Sequence, residues 1–153
     1  VEPVKQHRET AELWRTSPCL PYAIADVDGE ASFIAVTQGY TQMSGLAQEY
    51  DAAMLTRVRA DPRHQEDRIT VPTRSLNTLF AEIGINRVDF VSLDIEGGEM
   101  AALTAFDHDK YRVDVWAIEN NGGGPQIAAL MRNSGYILAE FCGVDEIYVR
   151  KDL

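Results

Sequence analysis

The sequence has few of the residues that build metal clusters or disulfide frameworks. It contains two cysteines, Cys19 and Cys142, and three histidines among 153 residues, with no Cys-x-x-Cys pair. Structural zinc sites need closely spaced cysteine and histidine ligands, and disulfide scaffolds need many more cysteines. We therefore expect no structural zinc site, assign no metal ligands, and expect a reducing, cytoplasmic setting.

Long apolar runs and an excess of positive charge are also missing. No run approaches the roughly 20 apolar residues of a membrane-spanning helix, and the first residues do not form a secretory signal. Lysine and arginine number 14 against 24 aspartates and glutamates, a formal net charge of −10. Such a surface repels phosphate backbones and anionic lipids. We expect neither a nucleic-acid nor a membrane partner, and the composition predicts no particular oligomeric state.

What the sequence does contain is the composition of an ordinary globular domain. Hydrophobic residues make up 45% and charged residues 25% of the chain, which is typical of globular proteins. A chain of this length is sufficient for one domain with its own core. We expect residues 1–153 to form a single domain.

The second half of the chain alternates strands and helices. Residues 88–93 and 113–118 are apolar strands, and a glycine pair opens the helix between them. This order is the crossover unit of a parallel sheet. The last two strands, 136–141 and 146–149, are joined too tightly for a crossover and form an antiparallel hairpin. We predict an α/β fold: a Rossmann-like doubly wound, mostly parallel sheet with a C-terminal antiparallel hairpin.

The first half is less regular. We predict a helix over residues 4–16 and expect its Trp14, like Trp116 of the second half, to lie in the core. Residues 37–66 show no clean period, and we interpret them as a loop or lid with a helical turn or two. Three short strands are predicted, over residues 22–25, 32–36 and 68–71.

One helix is defined by its ends. Ser75 is an N-cap residue, and the apolar residues that follow it share one helical face. Gly84 stands at the C′ position, where a left-handed backbone is needed. The strand before this helix is expected to end at Pro72.

Three carboxylates stand where the strands of the crossover unit end. Asp94 directly follows the first strand, Glu96 lies two residues further, and Glu119 follows the second strand. Ligands of open α/β sheets bind beyond the carboxyl ends of the strands. Adjacent strands are about 4.8 Å apart, so we expect the three acids to meet at the mouth of an active site. If the chain stays extended, Asp94 and Glu96 point to the same side.

Each of these acids also has a purely structural interpretation. Asp94 alone serves equally well as a cap for the following helix, and Glu96 as a favourable charge at its amino end. Glu119 is equally well explained as a solvated residue at the end of a strand. The coincidence of three acids at matching strand ends nevertheless favours a functional site.

The segment 89–99, which reads DFVSLDIEGGE, resembles the central signature of the FkbM-type methyltransferases, which depend on S-adenosylmethionine. Further segments resemble other landmarks of that family, namely residues 1–3, 23–29, 71–76, 115–120 and 135–136. The likeness spans nearly the whole chain, and the segment 89–99 is its most specific part.

The resemblance implies methyl transfer from S-adenosylmethionine to a hydroxyl oxygen of a small-molecule or sugar acceptor, on the class I methyltransferase fold. It implies that Glu2 binds the ribose hydroxyls of the cofactor, that Asp26 lies near the adenine, and that Asp94 lies by the methionine end. Glu96 and Glu119 would then face the acceptor. One departure is Ser92, where the family often has a lysine.

The family's first strand and its glycine-rich turn would precede Val1, so we expect the chain to be N-terminally incomplete and to bind the cofactor weakly by itself. A hydroxyl is a poor nucleophile, and one of Asp94, Glu96 and Glu119 is expected to take its proton. Two rival functions stay open at this point. One is a divalent-metal-dependent hydrolase or transferase that uses the same three carboxylates, and the other is a non-catalytic binding domain.

Overall fold

A computed structural model describes all 153 residues of the chain. Its five helices are α1 (Lys5–Trp14), α2 (Ala52–Arg59), α3 (Leu76–Ile83), α4 (Glu99–Ala105) and α5 (Gln126–Asn133). Its eight strands are β1 (Ala23–Ile24), β2 (Gly29–Gln38), β3 (Gly45–Leu46), β4 (Gln65–Arg74), β5 (Arg87–Leu93), β6 (Arg112–Glu119), β7 (Tyr136–Cys142) and β8 (Asp145–Arg150). None of the helices combines the length and the hydropathy needed to cross a bilayer.

The strands form two four-stranded sheets, in the orders β1-β4-β2-β3 and β5-β6-β8-β7. The pairs β1–β4 and β5–β6 are parallel, and the other four neighbouring pairs are antiparallel. The α/β class, the parallel crossover from β5 to β6 and the final β7–β8 hairpin are therefore as predicted. The doubly wound, mostly parallel sheet is not, because both sheets are mixed and largely antiparallel.

The long antiparallel pair of β2 and β4 accounts for this difference. Each strand has ten residues, and their register runs from Gly29↔Thr73 to Gln38↔Gln65. An antiparallel sheet tolerates one solvated face, so the charged residues at the start of β4 do not interrupt the strand. Nor does β4 end at Pro72. β1 pairs with β4 only from residue 73 onward, so at Pro72 the strand is flanked by β2 alone, an edge position where proline is tolerated.

The main core lies under the second sheet. A cluster of 16 buried residues joins β5, β6, β7 and β8 to α3, α4 and α5, and it includes the fully buried Trp116, Tyr136 and Tyr148. The expectation for Trp116 is confirmed, and the one for Trp14 is wrong, since Trp14 is 85% exposed. α1 buries no residue, because its sequence KQHRETAELW offers no continuous apolar stripe.

Helix ends follow their local sequence closely. The Ser75 hydroxyl accepts a hydrogen bond from the Thr78 amide at 3.2 Å, and Gly84 has the left-handed φ of 75°, as predicted for α3. Within the segment interpreted as a loop or lid, α2 is a complete helix that begins after Asp51, whose carboxylate accepts from the Met54 amide at 2.7 Å.

Candidate active site

The carboxyl ends of β5 and β6 lie side by side. The two strands are parallel neighbours, with Leu93 in register with Ile118. Asp94 follows β5, and Glu119 is the last residue of β6. One carboxylate oxygen from each of Asp94, Glu96 and Glu119 lies within 4.8 Å of the other two. The structure thus brings together the three acids that stand at the strand ends of the sequence.

Glu96 reaches this cluster through a bend and not through an extended chain. It is the one non-glycine residue with a positive φ, 59°, and Gly97 follows with a φ of 117°. A left-handed conformation costs a residue with a side chain about 1–3 kcal/mol. The surrounding contacts hold the bend: the Glu99 carboxylate accepts hydrogen bonds from the amides of Ile95 at 2.8 Å and Gly97 at 3.1 Å.

Glu99, and not Asp94 or Glu96, therefore stabilises the segment that leads into α4. It is 6% exposed, lies in the first turn of α4, and binds the amides of the loop that carries Glu96. α4 itself starts after Gly98 without a side-chain cap, so Asp94 is not the cap of this helix. The sequence signal for this role is an acid in the first helical turn after two glycines, where the positive end of the helix favours a carboxylate.

Gly97 lets a second segment pack closely against the acids. A Cβ atom at this position would lie 2.4 Å from the carbonyl oxygen of Glu49, well inside contact distance. Glycine is therefore required here for the approach of the chain as well as for the positive φ. The contact holds the loop before α2 over the carboxyl end of β5.

The acids of the cluster repel one another and have no cationic partner within it. Burial raises the pKa of Glu96 to about 8, and the neighbouring charges of Glu119 and Asp94 add to the shift. Burial also raises the pKa of Glu119 to about 7, with the charge of Asp94 as the next cause. Carboxyl groups whose pKa lies near neutrality are suited to proton transfer at physiological pH.

A cavity of about 580 Å³ opens beside the cluster. Glu96 and Glu119 belong to its lining, together with residues of two walls. The walls are formed by Tyr50, Asp51, Met54 and Arg57 around α2, and by Asn120, Asn121 and Gln126 after β6. Its volume lies in the range of small-molecule sites. The segment interpreted as a lid thus provides one wall of this cavity, which we call the larger cavity.

A second cavity of about 200 Å³ also borders Glu96. It is lined by the acids Glu2, Asp94 and Glu96 and by apolar groups, among them Tyr22, Ile24, Phe33 and Leu46. Glu96 is the one member of the cluster that lines both cavities. We call this second space the smaller cavity.

The remaining predicted residues divide into two groups. Glu2 lines the smaller cavity, and one of its oxygens accepts a hydrogen bond from the Val4 amide at 2.7 Å. Asp26 follows β1 but is exposed and lines neither cavity, so its role near an adenine stays a prediction. Nearby Asp28 binds the amino end of α3 instead, accepting from the Ser75 amide at 2.8 Å.

Asn120 is a site residue whose role the sequence did not reveal. Its side-chain nitrogen donates to the Gly124 carbonyl at 3.0 Å and to the Glu146 carboxylate at 2.9 Å. Glu146 is buried and also accepts from the Tyr148 hydroxyl. These contacts use both hydrogens of the amide and fix its position in the lining of the larger cavity.

A family model described as the methyltransferase FkbM domain matches residues 1–138, a range that contains the three acids and both cavities. No curated protein and no solved structure matches the chain.

Proposed function

The chain belongs to the FkbM methyltransferase family, and we propose that it transfers the methyl group of S-adenosylmethionine to a hydroxyl oxygen of a small-molecule or sugar acceptor. Membership of the family indicates methyl transfer in general, and the donor and the acceptor class are our proposal. The observation that carries it is the position of Glu96, which lines both cavities. A group in this position can touch both partners of a transfer reaction.

We assign the smaller cavity to the donor. Carboxylates such as Glu2 accept hydrogen bonds from ribose hydroxyls in nucleotide-binding α/β folds, and the apolar wall of Tyr22, Phe33 and Leu46 suits a purine ring. When bound, S-adenosylmethionine supplies an electrophilic methyl group on a sulfonium. The cavity volume of about 200 Å³ is below the roughly 300–1,000 Å³ of typical ligand sites. We therefore propose that it holds only part of the donor and that binding by this chain alone is weak.

We assign the larger cavity to the acceptor. Its polar lining, which includes Arg57, Asn120 and Gln126, offers both donors and acceptors to a hydroxylated molecule. We propose that a carboxylate of the cluster, Glu96 first among the three, accepts the hydroxyl proton while the new C–O bond forms. General-base assistance of this kind contributes about 10²–10⁴-fold to a rate. Orienting the hydroxyl in a closed cavity adds to it.

The proposal is tested by donor binding and by turnover. Calorimetry with S-adenosylhomocysteine should detect weak binding that Glu2→Gln abolishes, and tight binding would contradict our reading of the smaller cavity. Turnover is measured as S-adenosylhomocysteine release with a panel of methyl glycosides and polyols. Glu96→Gln should lower it about 100-fold or more without an equal loss of donor affinity.

Glu12→Gln is the matched control, because Glu12 is an exposed residue of α1. It should leave both donor binding and turnover unchanged. If the amide variants of Asp94, Glu96 and Glu119 all methylate at the normal rate, the assignment of the base to this cluster is wrong.

A further inference from the structure

One oxygen of the Glu2 carboxylate accepts no hydrogen bond from the chain. The Glu2 amide donates to the Leu20 carbonyl at 2.9 Å, and the Glu2 carbonyl accepts from the Arg8 guanidinium at 3.0 Å. The carboxylate oxygen Oε1 accepts from the Val4 amide at 2.7 Å. These contacts fix Glu2 in the lining of the smaller cavity and leave its other oxygen, Oε2, available to a ligand.

The imidazole of His7 lies opposite this oxygen and lines the same cavity. Its Nδ1 atom is 4.0 Å from Glu2 Oε2, which is too long for a direct N–H···O hydrogen bond. The His7 and Glu2 side chains are 35% and 30% exposed, so a direct ion pair between them would add little to stability. Two polar groups separated by more than about 3.5 Å are suited to bind an oxygen of a third group between them.

α1 holds His7 in this position although the helix contributes no buried residue to the core. The Arg8 amide donates to the Val4 carbonyl at 3.0 Å, and the Arg8 guanidinium donates to the Glu2 carbonyl. These bonds tie the start of α1 to the segment that carries Glu2. Because His7 directly precedes Arg8, they also set the distance between the imidazole and the carboxylate.

We propose that His7 and Glu2 together bind one ribose hydroxyl of the methyl donor. This inference rests on the proposed function, which assigns the donor to the smaller cavity and its ribose to Glu2. The hydroxyl donates its hydrogen to Glu2 Oε2 and accepts a hydrogen bond from His7 Nδ1. With about 2.8 Å to each partner, one oxygen can join two atoms that are up to about 5.6 Å apart, and the observed 4.0 Å lies within this limit.

The chemistry of the two side chains matches a hydroxyl group. An ionised carboxylate only accepts hydrogen bonds, an imidazole N–H donates one, and a hydroxyl does both. The bound hydroxyl, between Nδ1 and the carboxylate, favours the tautomer of His7 that carries its hydrogen on Nδ1. A donor analogue without this hydroxyl would lose both contacts at once.

The test measures binding of S-adenosylhomocysteine, and of its 2′-deoxy and 3′-deoxy analogues, to the complete 153-residue chain. Because we expect weak binding, the titrations are followed by NMR chemical shifts of the chain, and the same spectra show whether each variant is folded. His7→Phe keeps a ring but has no N–H group, so it should weaken binding of S-adenosylhomocysteine about three- to tenfold, the contribution of one hydrogen bond.

Two further variants separate the hydrogen bond from the shape of the cavity. His7→Asn should restore most of the affinity, because its amide nitrogen can donate in place of Nδ1. Glu12→Gln, on the exposed part of the same helix, should bind as the wild type does. For the analogue that lacks the bridging hydroxyl, His7→Phe should cause no additional loss, since the two changes remove the same contact.

The inference is overturned if His7→Phe binds S-adenosylhomocysteine as tightly as the wild type does. It is also overturned if this variant weakens binding of S-adenosylhomocysteine and of both analogues equally, since His7 would then act on the whole cavity and not on a hydroxyl. In both cases, binding by the wild type leaves the proposed function standing. If the wild type binds no S-adenosylhomocysteine at any concentration, the proposed function fails and this inference fails with it.

Discussion

The acids at the two ends of the β5–β6 strand pair lie in opposite electrostatic environments. Near the amino end of β6, Asp114 is 5% exposed and accepts hydrogen bonds from Arg87 and Arg112, each at 2.6 Å. These bonds, Arg87 first, hold the pKa of Asp114 below its usual value. At the carboxyl end, burial and mutual repulsion raise the pKa values of Glu96 and Glu119.

This difference separates a role in stability at one end of the strand pair from a role in chemistry that we propose at the other. An acid buried for stability is neutralised by the fold itself, as Asp114 is. Acids that stay buried without a partner lower stability, and such groups are typical of functional sites. We call the end with Asp114 the structural end and, after the proposed function, the end with Asp94, Glu96 and Glu119 the chemical end. Each of the following variants tests one side of this contrast.

The largest effect is expected at Gly97, on which the chemical end depends for its shape. Gly97→Ala places a side chain where φ is 117° and puts its Cβ 2.4 Å from the Glu49 carbonyl oxygen. The backbone strain alone costs about 1–3 kcal/mol, and the overlap adds to it. We expect the free energy of unfolding, measured with urea, to fall by more than about 3 kcal/mol.

Gly84→Ala is the matched control for this variant. Gly84 also has a positive φ, 75°, but no atom lies within 4 Å of its virtual Cβ. The loss of stability in Gly84→Ala should therefore reflect backbone strain alone, about 1–2 kcal/mol. Equal losses at Gly97 and Gly84 would show that the approach of Glu49 contributes nothing to the chemical end.

The next largest effect is a dependence of stability on pH, which arises from the acids of the chemical end. The folded chain raises the pKa of Glu96 from 4.5 to about 8, so between these values the folded state keeps a proton that the unfolded state has released. The free energy of unfolding must therefore fall as the pH rises through this window. Glu96→Gln removes the group and should flatten the fall, so that the variant is more stable than the wild type at the alkaline end.

Urea unfolding at a series of pH values across the same window measures this slope. Glu119→Gln should flatten it as well, because the pKa of Glu119 is also raised. A slope that neither variant alters would mean that Glu96 and Glu119 are as well solvated as surface acids.

The chemical end was visible in the sequence, but the way it is assembled was not. The positions of Asp94 and Glu119 at strand ends were predicted correctly, because the end of an apolar run marks the end of a buried strand. The bend at Glu96 depends on the hydrogen bonds that nearby Glu99 accepts, a local role that hydrophobic periodicity does not reveal. The wall around Arg57 depends on the contact of Gly97 with a loop that is far away in the chain. Contacts between residues far apart in the chain leave no local period, and the same reason explains why the pairing of β2 with β4 was missed.

At the structural end, we expect removal of the acid to lower stability, the opposite of the effect expected at the chemical end. Asp114→Asn leaves Arg87 and Arg112 without their acid, so the melting temperature should fall at neutral pH. The stability that Asp114 contributes is present above its unfolded pKa and is lost as the pH falls through its lower folded pKa, so wild type and variant should converge in acid. The effect should be smaller than that at Gly97, because the Arg87 side chain is 60% exposed and solvent screens the pair. A variant as stable as the wild type at neutral pH would remove the contrast between the two ends.

The smallest effect is expected for a substitution in the middle of β5, between the two ends of the strand pair. Asp89 lies on β5 within the same signature segment, but it is exposed and bound to no partner that would be lost. Asp89→Asn should change the free energy of unfolding by less than about 0.5 kcal/mol and should leave the pH slope unchanged. It changes the net charge of −10 by the same amount as Glu96→Gln does. A large effect at Asp89 would therefore mean that the overall negative field, and not burial and local pairing, sets the behaviour of the acids along this strand pair.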